Sequence, residues 1–388
     1  MPTVLVLDAD QRSALAATRA LGVAGYTVYT ADTRRQALAG RSKWSQGYFR
    51  YPDPSQDTNA ALESIAQCCE ARSVDLLMPM TDVSTHLVQN AHGVHLPQTP
   101  CPPPPTYETA SDKGALMRVA DEVGIAIPAT QEIAPGTALR ELPDTFEFPV
   151  VMKPTRSRVP LENGYLHTQV AIARNADHLR RLQESHRWFR DHPWLLQSFI
   201  EGVGRGAFAL YDNGSPLAWF AHERVREKPP SGGVSVVSRS AALDQRLHDS
   251  ASTLLNALKW HGPAMVEYRV SEDGTPYLME INARFWGSLQ LAISAGVNFP
   301  LLAAELALGR TPTPVTAYKL GVSNRWLLGD LDNLYLTLKS SEFGAGQKIL
   351  SAMRFLLPWW PGLRYEVFRP GDLRPFLHEA ARYVGFGR

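Results

Sequence analysis

The stretch Met265 to Ser288, MVEYRVSEDGTPYLMEINARFWGS, carries Glu267, Glu280, Asn282 and Arg284 at spacings that bring them together. An Asp-Gly pair between alternating segments favours a two-residue hairpin loop, here Asp273-Gly274. Glu272 then pairs with Thr275, and counting back along the ladder sets Glu267 opposite Glu280. Directly opposed carboxylates repel, so the pair calls for a compensating cation. A hard divalent ion such as Mg2+, which prefers oxygen ligands, is the simplest one. Side-chain alternation adds Asn282 and Arg284 to the face of Glu280 and leaves Met279, Ile281 and Ala283 on the apolar face. Acid, amide and guanidinium in one row suit a metal and a phosphate. An alternating polar face also marks an ordinary solvated strand, but such a face more cheaply carries Lys, Thr or Glu-Lys pairs than two matched acids.

The elements that must hold this row begin with a small α/β unit. VLVLDAD (Val4 to Asp10) reads as a buried strand, Ser13 to Gly22 as a helix, YTVYTAD (Tyr26 to Asp32) as a strand, and Thr58 to Arg72 as a helix before VDLLMPMTD (Val74 to Asp82). The first strand runs into Asp8-Ala9-Asp10-Gln11 without a Gly-x-Gly-x-x-Gly turn, which argues against a dinucleotide. PQTPCPPPPT (Pro97 to Thr106) is a stiff polyproline-type segment and the clearest boundary. After it Ser111 offers a cap for a helix carrying Asp112, Lys113, Leu116 and Val119. IAIPAT (Ile125 to Thr130) follows, then the strand FPVVMKP (Phe148 to Pro154), the loop Thr155 to Tyr165, a helix from about Ala176 to Phe189, and the apolar run WLLQSFI (Trp194 to Ile200). No internal repeat is visible.

A chain of 388 residues, 44% hydrophobic and 20% charged, suits two or three domains with normal interiors. Its 39 basic and 38 acidic residues nearly cancel, so nothing global steers it to nucleic acid. Cys68, Cys69 and Cys101 fit neither a zinc spacing nor a disulfide framework and suit a reducing compartment. The first residues lack a basic n-region and a long apolar core, and no run approaches the ~18 apolar residues that span a bilayer, so the expected location is the cytoplasm. Residues 339–388 hold eight Lys/Arg against four Asp/Glu, with an amphipathic stretch Gln347 to Leu357 and the pair Trp359-Trp360. That pattern suits a helical lid packed on the core, with peripheral membrane contact as the weaker alternative.

In order along the chain, these marks resemble the ATP-grasp superfamily of ligases, up to about Arg310. They are an α/β unit, Ser111-Asp112-Lys113, the strand ending Val151-Met152-Lys153-Pro154, a loop, the hinge LLQSFIEG (Leu195 to Gly202), and Glu267 with Glu280-x-Asn282-x-Arg284. The resemblance implies an α/β plus α+β architecture: a Rossmann-like pre-ATP-grasp domain (1–106), a small subdomain (107–190), an antiparallel-sheet ATP-binding subdomain (191–312) and a C-terminal helical or irregular extension (313–388). It implies that Lys113 and Lys153 meet the α- and β-phosphates of ATP, and that Gln197, Ser198, Phe199, Ile200 and Glu201 form the adenine and ribose site. Whether Gln197 or Glu201 reaches the ribose stays open. Glu267, Glu280 and Asn282 would ligate Mg2+ or Mn2+, and Arg284 would stabilise the transferred γ-phosphoryl group.

HERVREKPPSGGVS (His222 to Ser235) places Arg224 and Arg226 on one strand face for a substrate carboxylate or acyl phosphate, with Trp286-Gly287-Ser288 as a pocket wall. The loop Thr155 to Tyr165 departs from the family pattern: its glycines are reduced to Gly164, and Arg156, Ser157 and Arg158 suggest a side-chain grip on phosphates. The implied activity is Mg-dependent ligation, a carboxylate activated as acyl phosphate and captured by an amine, both small molecules. Another acceptor, as in carbamoyl phosphate or thioester formation, and a non-catalytic ATP-binding module are the alternatives.

Overall fold

Val4, Leu5 and Val6 are all fully buried, as a continuous apolar run demands when both faces of a parallel sheet are covered. They form the centre of β1 (Thr3–Val6), which pairs in parallel with β2 (Thr27–Asp32) on one side and β4 (Leu76–Met78) on the other, while β3 (Ser45–Arg50) flanks β2. The sheet order β3-β2-β1-β4 reverses direction at β1. This is a computed structural model that describes residues 1–139, 141–161, 164–230, 232–357 and 360–385. Within the polyproline segment a helix, Pro104–Ser111, already begins, its prolines filling first-turn positions where no N–H partner is needed. Asp112, not Ser111, caps the next helix, Lys113–Glu122, accepting from Ala115 N at 3.0 Å.

The second layer is an antiparallel sheet of β5 (Thr130–Ile133), β6 (Val150–Pro154), β9 (Ala171–Ala173) and β10 (Trp194–Ser198) in the order β5-β10-β6-β9. A hairpin of β7 (Arg158–Leu161) and β8 (Gly164–His167) takes the place of the predicted loop. Val150, Met152, Trp194 and Leu196 pack on the helical side. Alternation therefore turns Val151, Lys153, Leu195 and Gln197 to the opposite face.

The third layer is a larger sheet of β11 (Val203–Asp212), β12 (Ser215–Lys228), β13 (Val234–Ser240), β14 (Gly262–Val270), β15 (Pro276–Asn282), β16 (Ser323–Arg325) and β17 (Leu363–Tyr365), in the order β15-β14-β11-β12-β13-β16-β17. Ala207, Ala209, Val266, Tyr268, Leu278 and Ile281 cover one face against the helices 113–122 and 245–257. On the other, Phe208, Phe220 and Met265 belong to the same apolar core as Val4, Val6 and Leu15 of the first unit. The region after 312 thus differs from the expected appendage, since it adds two strands to this sheet. Its helix Ala345–Leu356 lies against the helix Leu327–Lys339 and is held at its end by the buried Arg325, which donates to Phe355 O at 2.7 Å and Leu357 O at 3.1 Å, while Ile349, Met353 and Leu356 stay exposed. Trp359 lies outside the described residues. Among the described residues no single helix is long and apolar enough to cross a membrane.

Candidate functional site

Glu267 and Glu280 stand opposite each other on β14 and β15, as the alternation predicts, but by a different route. The hairpin loop is not two residues. Ser271 N donates to Thr275 O at 3.1 Å, which leaves Glu272, Asp273 and Gly274 at the turn, with Gly274 at φ +84°. That shifts the pairing by one, and a bulge at Met279 shifts it back, so that Tyr268 faces Leu278 while Glu267 faces Glu280. Met279 consequently leaves the apolar face assigned to it, and its sulfur lies 3.8 Å from Lys153 Nζ.

The acids sit where their sheet face changes character. Along β11 the face runs from Phe208 through Gly206 to Gly204; along β14 it runs from Met265 through Glu267 to Arg269. Lys113, at the start of the helix 113–122, and Lys153, on β6 of the second sheet, approach the row. Lys113 Nζ lies 3.1 Å from Glu280 Oε2 and donates to Ser157 Oγ at 2.8 Å. Lys153 is buried, and burial lowers its pKa to about 8 although Glu280 pulls the other way. The carboxylates divide accordingly. Glu280 is held below the usual range, by Lys113 first of all, whereas burial and then the charge of Glu280 push Glu267 up.

Asn282 Nδ2 donates to Glu267 Oε1 at 3.0 Å, and its Oδ1 accepts from Arg284 Nη2 at 3.0 Å. The amide therefore presents N–H to the acids, and it would offer oxygen to a cation only after turning over. Among the described residues no group of three or more His, Cys, Asp or Glu is placed to hold a metal. Two carboxylates, one raised by the other, nonetheless fit Mg2+, which commonly takes one or two protein carboxylates and completes its shell with substrate phosphate and water. Arg284 grips Asp82 of the first unit with two bonds, Nε to Oδ1 at 2.7 Å and Nη2 to Oδ2 at 3.1 Å.

In the hinge, Gln197 is committed: its side chain is 1% exposed and Nε2 donates to Thr130 Oγ1 at 2.8 Å. Ser198 N donates to Ala129 O at 3.0 Å. Beyond it the chain leaves the ladder, and among the described residues the N–H groups of Phe199, Ile200 and Glu201 donate to no protein acceptor. Glu201 is exposed. Gly202 permits the exit into β11, since at φ +151° a Cβ would stand 2.0 Å from Val270 O.

Three expectations are corrected. Arg224 does reach the row, Nη2 lying 3.8 Å from Glu267 Oε2, but Arg226 does not share its face. The register of β12 against β13 shifts on either side of Arg226, and its guanidinium turns to Asp330, 2.6 and 2.7 Å away, in the buried company of Arg325. Trp286 is no pocket wall, because it is 2% exposed and packed between Phe208 and Phe299; Ser288 bonds the buried His222. Arg156 lines the cleft together with Ser157 and Arg158, but its guanidinium is tied to Glu108 at 2.7 Å. Ser231 and residues 162–163, within the segments singled out, lie outside the described residues.

A family profile described as ATP-grasp in the biosynthetic pathway with Ter operon matches residues 192–328, from the hinge strand through the acid row to the helix after β16. The biotin carboxylase of Campylobacter jejuni, solved with an ATP analogue, superimposes with a TM-score of 0.66 at 16% identity, over 82% of this chain and 74% of that one. The chain has the ATP-grasp fold. An L-amino acid ligase of Bacillus licheniformis shares the ATP-grasp fold at TM-score 0.58 and 20% identity, over 79% of this chain and 74% of that one. The biotin carboxylase domain of a Hydrogenobacter thermophilus 2-oxoglutarate carboxylase, solved with MgADP and bicarbonate, does so at TM-score 0.64 and 14% identity, over 82% and 73%. The carbamoyl phosphate synthase large chain of Pyrobaculum aerophilum is 26% identical over 233 residues, 57% of this chain. The chain spans only 22% of that relative's length.

The cleft contains residues that the sequence did not single out for it. Asp82 and Arg284 are 202 positions apart and meet only through the packing of separate units. Arg269 follows Glu267 by one strand period, a visible signal, and its charge reaches Lys153. Met279 enters the cleft only because of the bulge.

Proposed function

We propose that this ATP-grasp protein is an ATP-dependent ligase that joins a carboxylate to an amine through an acyl phosphate. The observation that carries the reading is the convergence of Lys113 from the helix 113–122, Lys153 from the second sheet, and Glu267 and Glu280 from the third, beside a hinge with free backbone N–H groups. Backbone N–H groups between Phe199 and Glu201 take the adenine edge, and exposed Glu201, not the committed Gln197, reaches the ribose. Lys113 and Lys153 neutralise phosphate oxygens. Mg2+ or Mn2+ on Glu267 and Glu280 supplies positive charge beside the β- and γ-phosphates when bound.

Arg224, next to Glu267, holds the substrate carboxylate, and its oxygen attacks the γ-phosphorus while the bond to the ADP oxygen breaks. Arg284 stabilises the charge on the phosphoryl group in flight. A neutral amine then attacks the acyl carbon, phosphate leaves, and the amine loses a proton to give the amide. An amine acceptor is supported by the amino acid ligase among the structural neighbours.

The test is ADP release from the full chain with ATP and Mg2+ against pooled carboxylates and amines. We expect turnover that requires the metal and both pools, and that drops by about a thousandfold or more in Glu280→Gln. Turnover that survives this substitution would remove the site assignment.

A further inference from the structure

The helices Leu327–Lys339 and Ala345–Leu356 both turn their polar sides inward and their apolar sides out. At about 100° per residue, Asp330, Asn333 and Thr337 share one side of the first helix, and with Gly329 they are its buried residues. Asp330 holds Arg226 and the buried Arg325, Asn333 Nδ2 donates to Glu227 O at 2.6 Å, and Thr337 Oγ1 donates to Asn333 O at 2.8 Å. Tyr335 and Leu338 lie on the opposite side and are exposed. The second helix buries no residue, and its half-buried positions, Lys348, Ser351, Ala352 and Phe355, fall on one side of the wheel. Ile349, Leu350, Met353 and Leu356 fall within an arc of about 120° on the other side. All four are exposed, Ile349 and Met353 at 62% and Leu356 at 73%.

A surface helix of a soluble protein ordinarily turns its apolar stripe to the core. Neither of these can be rotated to do so. Turning the first would strand Asp330 and two arginines. The second is fixed at its C-terminal end by Arg325, 1% exposed, which bonds the carbonyls of Phe355 and Leu357 and lies 4.6 Å from the centre of the Phe355 ring. An apolar face held outward in this way marks a docking surface.

The charge around the face says what docks there. Residues 333–365 hold four Lys/Arg against the single acid Glu342. Among the described residues, Lys339, Lys348 and Arg354 form no ion pair, and Lys339 donates to the hydroxyl of the exposed Tyr335 at 3.2 Å. A second copy of the chain, docked about a twofold axis, would set one net-positive face against another. An anionic bilayer accommodates both features, since apolar side chains enter the acyl boundary while Lys and Arg stems carry their charges to the headgroups.

We propose that these two helices dock the protein on a membrane surface rich in anionic lipid. Ile349, Met353 and Leu356 enter the headgroup boundary, and Lys348 and Arg354 meet the lipid's negative groups. The second helix lies in the plane of the interface and spans nothing. The surface needs no nucleotide, so it stands apart from the ligase reading.

Cosedimentation of the full chain with vesicles tests the surface. Vesicles of phosphatidylcholine with about one third phosphatidylserine should bind it at low salt, and pure phosphatidylcholine should bind it far more weakly. High salt should weaken the binding. Met353→Asp with Leu356→Asp should reduce affinity by about tenfold or more, and so should Lys348→Gln with Arg354→Gln. Exchanging two exposed arginines elsewhere, Arg181→Gln with Arg187→Gln, should leave affinity within about twofold. Thermal unfolding checks that each variant is folded, and the lysine–arginine pair serves if the aspartate pair is not. No binding to the anionic vesicles, binding unchanged in both face variants, or an equal loss in the distant control would overturn the proposal. So would a dimer in vesicle-free buffer that Met353→Asp with Leu356→Asp dissociates, because the face would then belong to a second copy.

Discussion

A lysine in the middle of a buried strand must either lose its charge or be provided with anions. Lys153 sits between those outcomes, its pKa lowered by burial to about 8 with Glu280 holding part of the charge in place. Its ammonium is therefore full at neutral pH and is lost as pH rises through about 8. If it binds phosphate, nucleotide affinity measured calorimetrically from about pH 6.5 to about pH 9.5 should fall on the alkaline side, with the midpoint moved upward by the bound phosphate's own charge. Lys153→Arg should flatten that profile, since a guanidinium stays charged throughout. A flat wild-type profile would rule Lys153 out as a phosphate ligand. Asp82 makes a second residue-level case. Asp82→Asn leaves Arg284 with a weaker, single-sided partner, so kcat should fall by about a hundredfold while the KM for ATP changes little. A change confined to KM would mean that Arg284 serves binding and not transfer. The acids and Lys153 were legible because each lies on a strand whose two-residue period points it away from an apolar face, whereas Lys113 opens a helix and Arg284 continues the row just past the end of β15. Asp82 was not, because nothing local marks it: it is the first residue of a helix behind an ordinary Thr81 cap, and its partner is supplied by another unit.

At the scale of the element, the acid hairpin shows that register can be right while the turn is wrong. The pattern of Tyr268, Val266, Leu278 and Ile281 on the buried face fixes which residues oppose each other, and the three-residue turn and the Met279 bulge compensate each other within that constraint. Gly274→Val puts a β-branched residue at φ +84° and sets its Cβ 2.6 Å from Arg246 Nη1. The cost should be about 1–2 kcal/mol in urea unfolding, whereas turnover per folded molecule should hold, because the apolar pattern keeps the two glutamates opposed. Lost turnover in a folded variant would show that the turn, not the buried face, sets the register. The same logic explains the failure at Arg226: alternation assigns it to the face of Arg224, but a register shift on both sides rotates it into a buried cluster with Asp330 and Arg325. Strand period is legible in sequence, and interruptions of it are not when the bulged residue is itself polar or flexible.

For the whole molecule, the order of units along the chain was legible, but the return of its end to its beginning was not. After β17 the chain crosses to the first helix, where Arg19, 3% exposed, donates Nε to Asp372 Oδ2 at 2.8 Å and its remaining N–H groups to the carbonyls of Glu366, Val367 and Asp372. Asp372 in turn accepts from Ser42 Oγ at 2.7 Å and Lys43 N at 2.9 Å. This clasp closes over the core that the first unit shares with the large sheet, so the segment from Glu366 to Asp372 is part of the scaffold that sets Asp82 against Arg284. No local pattern announces it, since Arg19 looks like one more polar position on an amphipathic helix and its partners are some 350 positions away. Asp372→Ala strands a buried guanidinium and should lower stability by about 3–5 kcal/mol, seen as an earlier midpoint in urea. Because the core is continuous, the first unit and the large sheet should unfold in one transition in the variant as in the parent. An unmoved midpoint would mark the C-terminal segment as dispensable, and two separated transitions would mean that the units are held together less tightly than their shared core implies.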